Sequence, residues 1–330
     1  MILPEGEIMG QRFSCGVSES FIAKNAGITM KQLHFDADAI VYAYEKIKEV
    51  TDRLGIQQPV PHLAGFAYPH VASLGCEIIF PEDSEPKPLP LLKNPSDIDN
   101  LHEPHDYLSA PLIQKKLQSL EKLLKKVPNA IRTIGHLYEG PITTAMLLMG
   151  QSFLTLPYDD PRRAHKLLEF CTRSAINYAT VIRKKLGIPV EPCPVGIPDD
   201  FAGMFPPKIF EEFVIPYWDM LYSGMQATER YLHSELLRTE HLSLLEKIGI
   251  DLYDPSADQY ITPEILQKYC PCKFTLLIKE WEIDSQSIEQ LEQLYERYAK
   301  TKPENISFWL CFPEHEEKIC GLLKKARSMA

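Results

Sequence analysis

The chain has 330 residues, of which 45% are hydrophobic and 24% are charged, and its formal net charge is −10. This composition is typical of a globular enzyme with a sizeable core, and the negative charge argues against nucleic acid as a partner. The sequence has no signal-peptide pattern, no apolar run long enough to cross a bilayer, and eight scattered cysteines rather than a disulfide framework. We therefore expect a cytoplasmic protein without membrane contact.

The first part of the chain contains two clear helical patterns. Residues 36–54 show the spacing of an amphipathic helix, which ends at Gly55. Segments 59–66 and 77–80 are predicted to be short strands, and a proline-rich loop follows them. The leucines and isoleucines of 112–127 recur at helical spacing and predict a second helix.

Beyond residue 130, strand and helix patterns alternate up to the end of the chain. Strands are predicted at 130–137, 229–233, 250–254, 273–278 and 306–311. Helices are predicted at 142–154, 161–186, 207–226 with a kink at Pro216, 242–248, 262–269, 287–299 and the C-terminus.

This alternation implies parallel strands joined by crossover helices. We predict an α/β fold, a (β/α)8 TIM barrel that forms a single domain over residues 1–330, with residues 1–58 as an N-terminal helical extension packed on it. A doubly wound open sheet is the alternative. It is less favoured because no glycine-rich phosphate loop follows a first strand.

Polar residues follow several of the predicted strands, at the end where barrel enzymes place their catalytic groups. Glu139 follows one strand, and Asp199 and Asp200 follow the segment "PVEPCPVGI". These three carboxylates are candidate catalytic residues that would position the substrate or handle protons. The alternative for Asp199 and Asp200 is helix capping, since aspartate is a common N-cap residue.

His233 and Glu235 follow another strand and Cys311 follows the last one. Residues i and i+2 of a strand point to one face, so His233 and Glu235 can converge. They are then either a hydrogen-bonded pair in the core or two metal ligands. With Cys311 they would supply nitrogen, oxygen and sulfur donors, a set that suits catalytic zinc with one open position, although Cys311 alone is more typical of a small buried hydrophobe.

The pair Cys270 and Cys272 has one intervening residue and no matching second pair, so we interpret it as structural.

Three longer segments make the chain resemble the uroporphyrinogen decarboxylase superfamily, and most closely its branch of cobalamin-dependent methyltransferases. The segments are "SLGCEIIFPEDSEPKPLPLLKNPSDIDNL", "YEGPITTAMLLMG" and "PDDFAGMFPPKIFEEFVIPYW". They resemble a glycine turn followed by an acidic-proline loop, an E-G-P-x-T motif, and a D-D-x-x-G motif with the helix after it. The resemblance extends over roughly residues 35–325 and implies a (β/α)8 barrel with a pocket at the carboxyl ends of its strands.

In the methyltransferase branch the resemblance also implies a zinc site of the form H-x-C, with a second cysteine near the C-terminus. His233 matches the histidine and Cys311 the C-terminal cysteine, whereas Glu235 stands in place of the first cysteine. A carboxylate can also bind zinc. The decarboxylases carry an N-terminal R-Q-A-G-R motif and a substrate-binding aspartate; this chain lacks the motif and has Phe66 in place of the aspartate, which argues against uroporphyrinogen decarboxylation.

The resemblance therefore implies a zinc-dependent methyltransferase that moves a methyl group between a corrinoid (cobalamin) and a small methylated or thiol substrate. We expect a separate corrinoid protein as partner, because the sequence shows no D-x-H-x-x-G segment. Tyr138 and Phe201, which adjoin the candidate carboxylates, are expected to contact the cofactor. A non-catalytic corrinoid- or tetrapyrrole-binding barrel, with His233 as lower ligand and no zinc, is the alternative.

Overall fold

Six parallel strands form the main sheet of the computed structural model, which describes residues 13–190 and 192–329. In sheet order the strands are β1 (Phe13–Val17), β8 (Asn305–Leu310), β7 (Lys273–Leu277), β6 (Leu252–Asp254), β5 (Ala227–His233) and β4 (Cys193–Pro198). A separate antiparallel ribbon consists of β2 (Ile78–Ile79) and β3 (Lys87–Pro88). The carboxyl ends of the six parallel strands therefore lie on one side of the molecule.

Helices connect and cover these strands. Their bounds are α1 (Glu19–Ala26), α2 (Met30–Phe35), α3 (Ala37–Leu54), α4 (Pro69–Ser73), α5 (Pro111–Lys126), α6 (Pro141–Met149), α7 (Leu156–Asp159), α8 (Pro161–Leu186), α9 (Pro207–Phe213), α10 (Ile215–Gly224), α11 (Thr239–Leu242), α12 (Pro263–Tyr269), α13 (Glu280–Ser285), α14 (Ile288–Lys300) and α15 (Glu316–Met329). Short 3-10 helices fill several of the connections. None of the helices in the described ranges has the length and apolar character that a membrane span requires.

The strongest helical patterns of the sequence are confirmed. Helix α3 begins after Asp36, whose carboxylate accepts hydrogen bonds from two backbone amides of the first turn, and ends at Gly55 in the left-handed conformation. Helix α8 has the predicted bounds of 161–186. The predicted helix 207–226 is two helices, because the chain breaks at Val214 and Pro216 lies in the first turn of α10, where a missing N–H costs little.

The predicted strands 59–66 and 130–137 are irregular segments without regular pairing. The backbone N–H of Ile131 donates to the carbonyl of Pro61 at 3.0 Å, and that of His136 donates to the carbonyl of Gly65 at 2.8 Å. Prolines and glycines in these segments interrupt a regular ladder, because proline has no N–H and glycine weakens a strand. The structure shows an α/β fold with a six-stranded parallel sheet, and closure into an eight-stranded barrel stays a prediction.

Strand β1 lies in the segment that we expected to be part of a helical extension. Its residues pair in parallel with β8, from Phe13 opposite Ile306 to Val17 opposite Leu310. The sequence "FSCGV" is short and contains serine and glycine, so it carries no clear strand signal. The N-terminal part of the chain thus contributes to the main sheet, and residues 1–12 of the predicted extension lie outside the described residues.

Asp199, directly after β4, joins three elements of the fold. Its fully buried carboxylate accepts hydrogen bonds from the backbone N–H of Thr143 at 2.6 Å and of Ile142 at 3.2 Å, both in the first turn of α6. It also accepts one from the indole Nε1–H of Trp218 in α10, at 2.7 Å. The backbone at Gly140 lies close to the side chain of Asp199, since a Cβ on Gly140 would be only 2.4 Å from the Cβ of Asp199.

We expect Asp199→Ala to lower the free energy of unfolding by about 3 kcal/mol or more, because it leaves two buried backbone amides and an indole N–H without an acceptor. Denaturant unfolding at neutral pH measures this effect. The control is Asp200→Ala, at a partly exposed side chain, which should cost less than about 1 kcal/mol. Equal destabilisation by both variants would show that Asp199 does not have this structural role.

Candidate functional site

The parallel register of three neighbouring strands brings polar residues together at the carboxyl ends. Pro198 of β4 pairs with His233 of β5, and His233 pairs with Asp254 of β6. Asp199 and Asp200 follow β4 directly, so their side chains begin beside His233. We call Glu139, Asp200, His233, Glu235 and Asp254 the strand-end cluster.

His233 is held by a hydrogen bond to a carboxylate on the next strand. Its Nδ1–H donates to Oδ2 of Asp254 at 2.9 Å, and its Nε2 lies 3.6 Å from Oδ1 of Asp200. Burial lowers the pKa of His233, but the hydrogen bond to Asp254 and the charges of Asp254, Asp200 and Glu235 outweigh it and raise this pKa to about 9. The imidazole is therefore protonated at neutral pH.

Asp254 is itself fixed by two further hydrogen bonds. Its Oδ1 accepts from the backbone N–H of Ser256 and from the hydroxyl of Thr275, both at 2.9 Å. Although burial raises its pKa, the hydrogen bond and charge of His233 hold it below the ordinary value. Asp254 thus remains charged and fixes both the orientation and the protonation of the histidine ring.

Glu139 lies in the connection before α6, in the field of the same cluster. Burial, followed by the charges of Asp200 and Asp199, raises its pKa to about 8, and the positive charge of His233 only partly offsets this. At neutral pH most of this carboxyl group is protonated. A group with a pKa this close to neutrality is suited to accept or donate a proton during a reaction.

The predicted ligands Glu235 and Cys311 do not join His233 in a common metal site. Glu235 Oε1 accepts a hydrogen bond from the backbone N–H of Ala257 at 3.2 Å, and its own N–H donates to Asp200. Cys311 interacts with Ser18 and Glu280. Within residues 13–190 and 192–329, no three histidine, cysteine or acidic side chains are placed so that they could hold a metal ion.

His233 alone has features of a metal ligand. A ligating histidine usually donates its second ring N–H to a carboxylate, as Nδ1 does to Asp254. A metal ion at Nε2 would have to displace the proton that this nitrogen carries at neutral pH. One histidine does not make a zinc site, however, so the donor set that the sequence suggested does not fit zinc as it stands. Zinc binding stays a prediction.

The remaining predicted residues differ in how far they are buried. Asp199 is fully buried and saturated with hydrogen bonds, so its position fits a structural role rather than the expected contact with substrate. Tyr138 is also buried, and its hydroxyl donates to the carbonyl of Gly196 at 3.0 Å. Phe201 is partly exposed and follows Asp200 after β4, and its expected contact with a cofactor stays a prediction.

Sequence reasoning missed Asp254 and a second pair near the same end of the sheet. Glu19 follows β1, and its carboxylate accepts hydrogen bonds from the N–H of Gly65 at 2.9 Å and from Nε2 of His62 at 3.2 Å. Asp254 could have been found, because it ends the predicted strand 250–254. Glu19 could not, since its strand was not recognised.

Comparison with known proteins agrees with this architecture. Residues 19–264 match the family model described as Uroporphyrinogen decarboxylase (URO-D). A parallel α/β sheet with its polar cluster at the carboxyl ends of the strands is a common arrangement among enzymes. The match extends over more than half of the chain, and the protein belongs to the uroporphyrinogen decarboxylase family.

One solved structure shows the same fold at low sequence identity. A methyltransferase from Methanosarcina mazei superimposes with a TM-score of 0.70 and 14% identity, covering 98% of this chain and 95% of that one. A protein from Listeria monocytogenes assigned as a vitamin-B12-independent methionine synthase has a TM-score of 0.44 and 12% identity, covering 98% of both chains. No curated protein sequence matches the chain.

We expect Asp254→Asn to lower the pKa of His233 from about 9 towards or below its ordinary value, because the variant removes the charge that favours the imidazolium. NMR titration of the histidine ring measures this midpoint. The control is Thr275→Val, which removes one hydrogen bond to Asp254 but keeps the carboxylate, and it should leave the midpoint much closer to about 9. An unchanged midpoint in Asp254→Asn would contradict the pairing.

We expect Glu139→Gln to stabilise the fold at alkaline pH. The pKa of Glu139 is raised from 4.5 to about 8 by folding, so the folded state binds this proton more tightly and wild-type stability falls between those pH values. The amide is neutral at all pH values. Its advantage should reach about 2–4 kcal/mol above pH 8 and vanish below pH 4.5.

Denaturant unfolding at several pH values measures this difference. The matched control is Glu45→Gln on an exposed position of α3, which should change the free energy of unfolding by less than about 0.5 kcal/mol. A stability difference for Glu139→Gln that does not grow with pH would show that the carboxyl group is not strained by its surroundings.

Proposed function

We propose that the protein is a methyltransferase that moves a methyl group between a corrinoid, carried by a separate protein, and a small methylated or thiol substrate in the cytoplasm. The observation that carries the proposal is the pair of His233 and Asp254 beside Glu139 and Asp200 at the carboxyl ends of β4, β5 and β6. Membership of the uroporphyrinogen decarboxylase family and the fold shared with a methyltransferase give it further support.

Methyl transfer in either direction requires a proton to move at the heteroatom of the substrate. A thiol that accepts a methyl group loses its proton, whereas the oxygen or nitrogen of a methyl donor takes one up as it leaves. Glu139, with a pKa of about 8, can serve in both directions because both of its protonation states are accessible near neutral pH.

His233 would supply a fixed positive charge beside the reacting atom. Its Nδ1–H is held by Asp254, so Nε2–H is the group that remains to donate to a substrate heteroatom. This hydrogen bond would favour a developing thiolate or alkoxide, because a charged donor strengthens its interaction as negative charge appears on the acceptor. The charge of Asp200, whose Oδ1 lies 3.6 Å from Nε2, favours the protonated ring.

The corrinoid and its protein would approach the carboxyl ends of the strands. Phe66 and Met204 expose 42% and 46% of their surfaces near these ends, and Phe201 is partly exposed beside Asp200. Such apolar groups suit contact with a large, flat macrocycle. Zinc remains a separate prediction, and the roles of Glu139 and His233 described above do not depend on it.

We expect the purified protein to transfer a methyl group between free methylcobalamin and a member of a panel of small thiols, or from small methylated donors to reduced cobalamin. His233→Ala should lower kcat/KM by about 100-fold or more, as the loss of a charged group in the transition state does. The loss of methylcobalamin absorbance measures transfer to a thiol, and its appearance measures transfer from a methylated donor. Cys320→Ser, in α15 and outside the strand-end cluster, is the control and should leave the rate unchanged.

Metal content tests the zinc component, and corrinoid binding without methyl transfer distinguishes the alternative. Wild-type protein should hold about one zinc ion per chain, and His233→Ala should lose it. Protein that contains no zinc and takes none up would disprove the zinc component alone. Protein that binds a corrinoid but transfers no methyl group in either direction would favour a non-catalytic binding barrel.

A further inference from the structure

The segment Cys270–Pro271–Cys272 brings two thiols into contact, away from the strand-end cluster. It connects the end of α12 to the beginning of β7, where Lys273 pairs with Leu252 at the opposite end of the sheet from Asp254. The two Sγ atoms are 3.6 Å apart. Both side chains are partly exposed, so a small reagent can reach them.

We propose that Cys270 and Cys272 form a thiol–disulfide exchange site that reacts with small-molecule disulfides and closes to an intramolecular disulfide. A disulfide has an S–S distance of about 2.05 Å, so the sulfurs must approach by about 1.5 Å, which side-chain rotation can provide. The site is independent of methyl transfer.

The backbone around the pair is anchored on both sides. The N–H of Cys270 donates to the carbonyl of Leu266 at 2.9 Å, which closes the last turn of α12, and the N–H of Lys273 donates to the carbonyl of Asp251 at 3.2 Å. Pro271 lies between them with a fixed backbone torsion. This segment therefore holds the thiols together without a large loss of chain entropy when the bond forms.

The pKa values of the two thiols are shifted in opposite directions. The hydrogen bond from Cys272 lowers the pKa of Cys270, whereas the same hydrogen bond, burial and the charge of Cys270 raise the pKa of Cys272. Cys270 is thus the thiol that loses its proton first, and the thiolate is the nucleophile in exchange reactions. Cys272 is the resolving thiol.

The reaction is balanced when the disulfide is the oxidant. The thiolate of Cys270 attacks one sulfur of a small disulfide, such as oxidised glutathione, and releases one small thiolate. Cys272 then loses its proton and attacks Sγ of Cys270, which forms the intramolecular bond and releases the second small thiolate. The two protein thiols are oxidised, the small disulfide is reduced to two thiols, and the protons pass to the leaving sulfurs.

Four other cysteines of the chain differ from Cys270. Burial raises the pKa of Cys15 to about 12 and that of Cys76 and Cys311 to about 11. Burial also raises the pKa of Cys171 well above the ordinary value. These thiols are protonated at neutral pH, so they should react slowly with disulfides.

The test is to incubate the folded full-length protein with oxidised glutathione, to alkylate the remaining thiols, and to identify the peptides by mass spectrometry. We expect the peptide that contains 270 and 272 to lose two hydrogens and to escape alkylation, and to regain both free thiols after reduction with dithiothreitol. If both thiols are alkylated after this treatment, the proposal is wrong.

Variants then test the order of events. Cys272→Ser keeps a hydrogen-bond donor beside Cys270 but cannot resolve the intermediate, so glutathione should stay attached to Cys270. Cys270→Ser should accumulate much less of the adduct on Cys272. The matched control is Cys320→Ser, at another partly exposed thiol, which should form the internal disulfide like the wild type. Equal adduct formation in the first two variants would overturn the assignment of Cys270 as the attacking thiol.

Discussion

The in-register pairing of β4, β5 and β6 determines most of what the carboxyl side of the sheet can do. It places Pro198, His233 and Asp254 side by side at the last residue of each strand. The backbone continues this alignment beyond the strands, since the N–H of Asp199 donates to the carbonyl of His233 at 2.9 Å. A shift of one residue in β5 or β6 would turn His233 or Asp254 to the other face and break their hydrogen bond.

Two neighbouring aspartates after β4 have separate roles because of this alignment. Asp199 is turned inwards and joins α6 and α10 to the sheet, whereas Asp200 faces His233. The sequence "PDD" shows the two as equals, and both were expected to line the pocket. The inward position of Asp199 depends on a hydrogen bond from the indole of Trp218 in α10. No local sequence pattern predicts that contact.

The sequence was sufficient for the elements whose signals are local. The amphipathic spacing of α3, α5, α8 and α14 and the strand–helix alternation after β4 are all confirmed. The site residues could be predicted only one by one. His233 and Glu235 were expected to act together, but the partner of His233 is Asp254, because cross-strand register rather than spacing within one strand decides which side chains meet. The periodicity of hydrophobic residues also could not predict that the backbone at 59–66 and 130–137 is irregular.

The family resemblance suggested a metal site, but the described residues do not form one. A cluster of carboxylates around one charged histidine lies at that position. Glu139, Asp200, Glu235 and Asp254 surround a single protonated imidazole. The positive charge of His233 offsets part of the repulsion between these carboxylates. Glu139 reduces the repulsion further because it retains its proton at neutral pH.

The raised pKa of Glu139 has a consequence for how ligand binding would appear in a calorimeter. A cation that enters the strand-end cluster would lower this pKa and expel a proton into the buffer, whereas an anion would raise it and draw a proton in. The heat of binding near pH 8 would therefore change with the ionisation enthalpy of the buffer, and the sign of that dependence would report the charge of the ligand before its identity is known.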